Sequence, residues 1–255
     1  MIEVGGHMQI GNLVAALRGR LLRLTGKDLR ADLRKKYEDR LGTLVVAEND
    51  GVRILKFDQK QPGAMETYRE IQEIGNKHKL NVIFAVEANI AHMARYVEAR
   101  VGTVAFALCH GTRSGAEQRW FKKHLKGSPR VLGTEISETA SQFPDTIQWD
   151  FHEQNSEWIG KADIIYSNSW DHSIDPERMF RNWMECLTEK GVILIEHSIH
   201  HEGRNADPLD PFGATRDGLV RLLDRVGCAD FKVVDVIVNL PRSVDGLSTI
   251  VVART

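Results

Sequence analysis

Residues 104–117 have the sequence VAFALCHGTRSGAE, and this stretch decides the fold of the chain. It begins with an apolar run long enough for a buried strand and continues into a turn with two glycines, Gly111 and Gly115. An amphipathic segment from Ala116 to about Leu125 then predicts a helix. Strand, glycine turn and helix bring bare backbone N–H groups close to a nucleotide-like ligand, because glycine has no side chain and tolerates positive φ.

The composition is that of an ordinary soluble globular protein. The chain has 255 residues, of which 42% are hydrophobic and 27% charged, and its formal net charge is −1 at pH 7. A net charge near zero, without a stripe of basic residues, argues against a nucleic-acid partner. Cys109, Cys186 and Cys228 lie far apart, and neither a secretory signal nor a transmembrane run is evident. We therefore expect a protein of the reducing cytoplasm.

Strands and helices alternate from residue 103 onwards, which predicts a parallel sheet covered by helices on both faces. The predicted parallel strands are 103–109, 130–134, 146–148, 162–167 and 192–196. Asp175-Pro176 predicts the start of a helix that runs to about Leu187, and residues 231–240 and 248–253 predict a final antiparallel pair. The expected fold is α/β and doubly wound, with a mostly parallel seven-stranded sheet and a terminal antiparallel strand.

The first hundred residues predict an accessory region of helices and a β-hairpin. Leucines recur at helical spacing between residues 10 and 24, and Asn49-Asp50-Gly51 between two apolar runs predicts the hairpin. Two further helical patterns cover about 64–78 and 86–100, and we expect them to roof part of a ligand site. The predicted division is 1–100 for the accessory region and 101–255 for a Rossmann-like domain.

Basic residues outnumber acidic ones between residues 18 and 40. A basic amphipathic helix can bind an anionic membrane surface. This segment lacks the Trp and Phe anchors of such helices, which favours a helix that docks on the protein with a solvated basic face. The basic residues are Arg18, Arg20, Arg23, Lys27, Arg30, Arg34, Lys35, Lys36 and Arg40.

Two acidic residues extend the glycine turn into a nucleoside-binding pattern. Glu135 ends the second strand about twenty residues after Gly115, the separation expected for a carboxylate that holds ribose hydroxyls. Asp150 and Phe151 follow the third strand and offer a carboxylate for an exocyclic amine and a ring for a base. All of these lie at the carboxyl ends of parallel strands, where such folds bind ligands.

Residues 103–255 resemble a Rossmann-like class I S-adenosylmethionine-dependent methyltransferase. VAFALCHGTRSGAE is similar to the first motif of that family, VLGTEIS to its ribose-binding motif and IQWDF to its adenine-binding motif. Residues 162–197, ADIIYSNSWDHSIDPERMFRNWMECLTEKGVILIEH, resemble its later block. The resemblance implies methyl transfer from S-adenosylmethionine, with S-adenosylhomocysteine as the product.

The resemblance also implies a set of cofactor-binding residues. The glycines would contact the methionine and the ribose, while Glu135 would hold the ribose hydroxyls and Asp150 the adenine amine. Cys109 stands where the family has an acid, and Arg113 replaces the middle glycine, so Arg113 is hypothesised to pair with the cofactor carboxylate. The full implied set is Cys109, Gly111, Thr112, Arg113, Gly115, Glu135, Ile136, Asp150, Phe151 and Asn168.

Candidate catalytic residues follow the fourth and fifth strands. Methyl transfer is an in-line displacement, so catalysis is mainly positioning, with a base where the acceptor is a hydroxyl. Asp171, His172 and His197 are the candidates, since imidazole titrates near neutrality. The alternative is that such histidines are hydrogen-bonded loop residues. The expected acceptor is a small molecule or a saccharide hydroxyl, because no nucleic-acid signal is present.

Other functions stay open. A nicotinamide dehydrogenase would require Gly-x-Gly-x-x-Gly, which is absent. His197, His200, His201 and Glu202 could ligate a divalent metal in a second class of enzyme, but an HExxH spacing and cysteine ligands are absent, so no metal is predicted. A third class is a protein that binds the cofactor without transferring its methyl group, and Cys109 and Arg113 make this alternative plausible.

Overall fold

The computed structural model describes residues 29–202 and 206–255, which form two β-sheets and the helices around them. The helices are α1 (29–41), α2 (Ala64–His78), α3 (Glu87–Val101), α4 (Ala116–His124), α5 (Pro176–Cys186) and α6 (Arg216–Gly227). The strands are β1 (Val45–Asn49), β2 (Val52–Lys56), β3 (Phe106–His110), β4 (Arg130–Glu135), β5 (Thr146–Gln148), β6 (Ala162–Ser167), β7 (Leu187–His197), β8 (Phe212–Ala214), β9 (Phe231–Ile237) and β10 (Ser248–Arg254).

The larger sheet has seven strands in the order β5-β4-β3-β6-β7-β10-β9. The strands from β3 to β7 pair in parallel, whereas β10 lies antiparallel between β7 and β9. This confirms the predicted doubly wound fold. The chain runs outward from β3 to β5 and then returns to β6 on the other side of β3. That reversal leaves a crevice beyond the carboxyl ends of β3 and β6, where open α/β sheets bind ligands.

β3 is buried along its whole length because helices cover both faces of the sheet. Leu108 belongs to one apolar core together with Trp183 of α5. Ala107 belongs to the opposite core, with Met93 of α3 and Phe121 of α4. Each large apolar side chain buried in this way contributes about 1.5–3 kcal/mol to folding. The sheet is therefore a rigid support for the residues at its strand ends.

The boundary between α5 and β7 differs from the prediction. The start of α5 is confirmed, because the Asp175 side chain accepts a hydrogen bond from the N–H of Arg178 at 3.2 Å. The strand, however, begins at Leu187 and not at residue 192. Leu187 pairs with Ala162 of β6, and Gly191 permits the following bulge, since a Cβ there would lie 2.5 Å from the Ala162 carbonyl oxygen.

The N-terminal part builds a second sheet of three strands in the order β1-β2-β8. The predicted hairpin is confirmed, with Asp50 and Gly51 in its turn at φ values of 52° and 75°. The two prolines and two glycines of residues 202–214 predict a long loop. Residues 212–214 form β8 instead, which pairs antiparallel with β2. Leu209, just before β8, is buried in a separate apolar cluster with Leu33 of α1 and Ile71 of α2.

The basic segment lies partly outside the described residues, since its first four basic residues precede residue 29. Among residues 29–202 and 206–255, no helix combines the length and the apolar character needed to cross a membrane. The described basic side chains form ion pairs, which favours the docking interpretation over a membrane surface. These pairs are Arg30 with Asp207 and Asp210, Arg34 with Glu38, Lys35 with Asp39, and Lys36 and Arg40 with Glu70.

The parts of the chain before and after residue 100 pack against each other in two places. Ile90, Met93 and Val97 of α3 are buried in the core of the larger sheet. β8 of the C-terminal part completes the smaller sheet. The division of the chain at residue 100 stays a prediction.

Candidate functional site

Two cavities meet at the carboxyl ends of the larger sheet. The first lies beyond β4 and β5 and is called here the β4-side cavity. The second, about 410 Å³, lies beyond β6 and β7 and is called the β7-side cavity. The cavities adjoin, because Lys79, Arg113, Ser169 and His172 line both of them.

Glu135 presents a carboxylate to the β4-side cavity from the end of β4. Its Oε2 accepts the N–H of Arg113 at 3.0 Å, and its Oε1 accepts the N–H of Ser137 at 3.2 Å. Burial raises the pKa of Glu135, and the two backbone donors and the Arg113 charge oppose that rise in part. Each oxygen keeps further lone pairs, so the carboxylate can still accept from a hydroxyl in the cavity.

Asp150 presents a second carboxylate to the same cavity. Its Oδ1 accepts from both the N–H and the ring Nδ1 of His152, at 3.0 and 2.7 Å. Its Oδ2 is buried and has no hydrogen-bond partner among the described residues. Burial favours the neutral acid, but the hydrogen bonds and charge of His152 outweigh it and hold the pKa of Asp150 below its ordinary value. An ionised, unpartnered oxygen at a cavity wall fits a ligand N–H donor.

Flat and apolar side chains form the rest of this wall. Ile136, Trp149 and Phe151 line the cavity beside the two carboxylates, and Tyr68 of α2 lines it as well. The combination of an apolar slot with a few fixed polar atoms is typical of a site for an aromatic heterocycle.

The turn after β3 brings β3 and β6 close together at the junction of the cavities. Gly111 has a φ of 73°, and a Cβ there would lie 2.7 Å from the Cβ of Ser169. The Ser169 hydroxyl donates to the Gly111 carbonyl at 3.1 Å. Any side chain at position 111 would therefore push this wall of the site outward.

Arg113 lies in the same turn and also has a left-handed backbone, with a φ of 45°. Its Nη1 donates to the Val82 carbonyl at 3.0 Å, and its guanidinium carbon lies 5.3 Å from the centre of the Phe84 ring. Its Nε is buried and has no partner among the described residues. Burial lowers the pKa of Arg113, but an arginine stays protonated in proteins. A charged donor without a partner at the cavity junction fits an anionic group of a ligand.

Comparison with solved structures identifies proteins with a similar fold. A 1,6-didemethyltoxoflavin N1-methyltransferase from Burkholderia thailandensis, solved with 1,6-didemethyltoxoflavin and S-adenosylhomocysteine, is 16% identical, with 82% of this chain and 98% of that chain covered and a TM-score of 0.57. A TehB-like SAM-dependent methyltransferase from Corynebacterium glutamicum is 16% identical, with coverages of 74% and 100% and a TM-score of 0.50. A sugar N-methyltransferase from a Streptoalloteichus species is 14% identical, with coverages of 70% and 91% and a TM-score of 0.50.

The chain has the class I methyltransferase fold. Comparisons with family models and with curated proteins found no match. At these low identities the solved structures establish the fold, and the chemistry has to be argued from this chain's own residues.

Three residues implied as cofactor-binding from the first motif do not line either cavity in this methyltransferase fold. Cys109 is fully buried in the core with α3 and α4, where burial raises the pKa of its thiol well above the ordinary value. Gly115 starts α4, and a Cβ there would lie 2.8 Å from the Gln118 Nε2, so its role is packing. Thr112 is buried in a smaller cleft beside Asn168. The positions of Cys109 and Gly115 give no support to a cofactor contact, and the contact of Thr112 stays a prediction.

Asn168, Asp171 and His172 follow β6 and line the β7-side cavity. Burial raises the pKa of the Asp171 carboxyl, and Asp210 raises it further, although His172 opposes the rise. Burial lowers the pKa of His172, although Asp171 and Asp210 oppose this. Burial therefore favours the neutral form of His172, the state in which an imidazole accepts a proton.

His197 was predicted as a catalytic candidate, and its position contradicts that prediction. The side chain is 2% exposed, and its Nε2 lies 2.9 Å from the Ala214 carbonyl oxygen, to which it donates. The ring stacks on Trp170 at a centroid distance of 6.0 Å. It lines neither the β4-side nor the β7-side cavity. His197 joins β7 to the smaller sheet through that hydrogen bond.

The histidines suggested as metal ligands each have a different hydrogen-bond partner. His200 lies 3.0 Å from Asp245 Oδ2, whereas His201 Nδ1 lies 3.0 Å from the N–H of Ser198 and accepts from it. Within residues 29–202 and 206–255, no three histidine, cysteine or acidic side chains are arranged to hold a metal ion.

Several residues that line the cavities were not predicted. α2 contributes Tyr68, Gln72 and Gly75 to the β4-side cavity, and Lys79 at its C-cap continues the same spacing of three or four residues along one helix face. That stripe of polar and small residues at helical spacing was a signal in the sequence. Arg30 and Asp210 line the β7-side cavity but are distant in sequence from the other site residues, so no local pattern marks them.

Proposed function

We propose that the protein is an S-adenosylmethionine-dependent methyltransferase that acts on a hydroxyl of a small molecule or a saccharide. The observation that carries this proposal is the pair of adjoining cavities, one with the fixed carboxylates Glu135 and Asp150 and the other with a neutral His172. The arrangement supports a nucleoside in the first cavity and an acceptor in the second.

The residues of the β4-side cavity fit an adenosyl group. Glu135 would accept from the ribose hydroxyls and the unpartnered Asp150 Oδ2 from the adenine amine. Ile136 and Phe151 would contact the base. The Arg113 guanidinium, with its unpartnered Nε, would bind the amino-acid carboxylate. The bound cofactor supplies an electrophilic methyl group, and the protein's share of the chemistry is to orient it and to exclude water.

The β7-side cavity is large enough for a small-molecule acceptor. Its volume of about 410 Å³ lies within the usual range for small-ligand sites. Phe84, Val244 and Leu247 provide apolar surface, and His172 provides a neutral imidazole. Methylation of a hydroxyl leaves one proton, which His172 would accept.

Calorimetry with S-adenosylhomocysteine tests the cofactor site. Asp150→Asn should turn an N–H₂ group towards the adenine amine while its oxygen stays on His152, and we expect the affinity to fall about 10- to 100-fold. Glu157→Gln, at an exposed position, is the matched control and should leave the affinity unchanged. Equal affinity for the wild type and Asp150→Asn would contradict the assignment of this cavity.

Transfer of a labelled methyl group to a panel of hydroxylated small molecules and saccharides tests the activity. The second candidate function is binding of the cofactor without transfer, favoured by the replacement of the first-motif acid by Cys109, which is buried in the core. Tight binding of S-adenosylhomocysteine without transfer to any acceptor would support that candidate. An absence of binding would contradict both.

A further inference from the structure

Gln72 of α2 is held in one orientation by the segment before β8. The side chain is buried, and its Nε2 donates to the carbonyl oxygens of Pro208 and Leu209 at 3.0 and 3.2 Å. Both partners can only accept hydrogen bonds, so the amide nitrogen must face them. The amide oxygen therefore points the other way.

That oxygen faces His172. Gln72 Oε1 lies 2.7 Å from His172 Nδ1, and because an amide oxygen only accepts, Nδ1 must carry the hydrogen. A neutral imidazole has a single N–H, so the lone pair lies on Nε2. No described residue hydrogen-bonds to Nε2, whose nearest acidic neighbour is Asp210 Oδ1 at 3.9 Å, and the side chain is 22% exposed.

We infer that Gln72 is a positioning residue, which holds neutral His172 with its hydrogen on Nδ1 so that Nε2 faces the β7-side cavity as the proton acceptor. The catalytic part of this inference rests on the proposed function, whereas the position of the hydrogen does not. The acceptor's hydroxyl proton passes to Nε2 as its oxygen bonds to the methyl carbon. The electron pair of the broken carbon–sulfur bond stays on sulfur, and the imidazolium later releases the proton to solvent.

The surroundings of His172 support this role. The hydroxyl of Tyr68 donates to the His172 carbonyl at 3.1 Å, which fixes the backbone beside α2. Asp210, held by its ion pair with Arg30, lies on the Nε2 side and would stabilise the imidazolium. The other charged groups that act on the ring are Asp171, which favours its protonation, and Lys79 and Arg113, which disfavour it.

Nuclear magnetic resonance of protein labelled with ¹⁵N-histidine tests the hydrogen's position directly and needs no acceptor. The chain has 10 histidines, and the His172→Gln variant identifies the signals of His172 by their loss. In the neutral wild type we expect a protonated Nδ1 and an unprotonated Nε2. A hydrogen on Nε2 in the wild type overturns the inference, whatever the variants show.

Gln72→Met keeps the length of the side chain but removes the acceptor for Nδ1–H. We expect its His172 spectrum to show a mixture of both hydrogen positions, and kcat to fall about tenfold or more with KM little changed, since a positioned base contributes at least that much. Gln118→Met is the matched control, because Gln118 is equally buried but hydrogen-bonds to Thr146. It should leave the His172 spectrum as in the wild type.

An unaltered His172 spectrum in folded Gln72→Met would contradict the positioning role. A fall in kcat without a change in that spectrum would mean that Gln72 acts only by packing, which also overturns the inference. Failure of the wild type to bind S-adenosylhomocysteine contradicts the proposed function instead, and the spectrum still decides the position of the hydrogen.

Discussion

At the scale of single residues, Arg113 shows how one side chain can change a loop without changing the fold around it. Its φ of 45° belongs to the region that glycine adopts without strain. Its backbone N–H nevertheless donates a hydrogen bond to the Glu135 carboxylate. The side chain fills the space between the turn and the segment after α2, where it contacts Val82 and Phe84. A position that favours glycine is therefore occupied by a charge, which supports the carboxylate contact proposed above.

Arg113→Gly should separate charge from backbone conformation. Glycine suits the left-handed φ, so we expect the turn to persist while the partner of the cofactor carboxylate is lost. The affinity for S-adenosylhomocysteine should fall about tenfold or more, because a charge-assisted hydrogen bond is removed. Calorimetry with methylthioadenosine, which lacks the amino-acid carboxylate, is the control and should show little change. Equal losses for both ligands would contradict the assigned contact.

At the scale of elements, α2 and the segment before β8 form one wall of the site. Gly75 of α2 lies against Leu209, since a Cβ at position 75 would lie 2.5 Å from Leu209 Cδ2. Gln72 donates to the backbone of the same segment. The loop predicted over 202–214 is thus packed against α2 through Leu209, and its Asp210 lines the β7-side cavity.

Gly75→Ala tests this contact between elements. The new methyl group collides with Leu209, and we expect destabilisation of about 1–3 kcal/mol from overpacking. Leu209→Ala alone should cost about 2–5 kcal/mol, because it leaves a cavity in a buried cluster. The double variant should be more stable than the sum of both losses predicts, since each change relieves the other. Denaturant unfolding measures all four proteins, and strict additivity would contradict the contact.

At the scale of the whole molecule, two buried acids lie near the carboxyl ends of β3 and β7. Burial raises the pKa of Glu117 to about 7 and that of Glu196 to about 7 as well. Glu117 Oε2 and Glu196 Oε1 have no hydrogen-bond partner among the described residues. Such groups bind a proton more tightly in the folded than in the unfolded chain, so they make stability depend on pH.

The sign of that dependence follows from the raised pKa. The stability linked to Glu117 is fully present below the unfolded pKa, about 4.3, and it is lost as pH rises towards the folded value of about 7. Glu117→Gln removes the titrating group. The melting temperature of the variant minus that of the wild type should therefore be larger at pH 8 than at pH 5. Thermal unfolding at both pH values measures this, with exposed Glu157→Gln as the control. The same difference in melting temperature at both pH values would contradict the titration of a buried Glu117 carboxyl.

Much of the fold and part of the site could be predicted because the signals are local. The buried run of β3, the turn glycines, the Asp175 cap and the acids after β4 and β5 are each specified by neighbouring residues. Hydrophobic periodicity and the residue types of turns depend only on neighbouring residues. Glu135 and Asp150 lie at strand ends that the alternation of strands and helices already predicts. Both side chains line the β4-side cavity, and their role in binding the cofactor stays a prediction.

What the sequence alone determined is the order of the strands and helices of the larger sheet and the edge of that sheet where a ligand site is expected, because both follow from patterns within about 20 residues. Only the tertiary structure decided which side chains reach that edge. His197 turns away to Ala214, whereas Gln72 and Asp210, distant in sequence, meet at His172. Side-chain direction at a strand end depends on packing between elements, and that packing is a long-range property that no local pattern encodes.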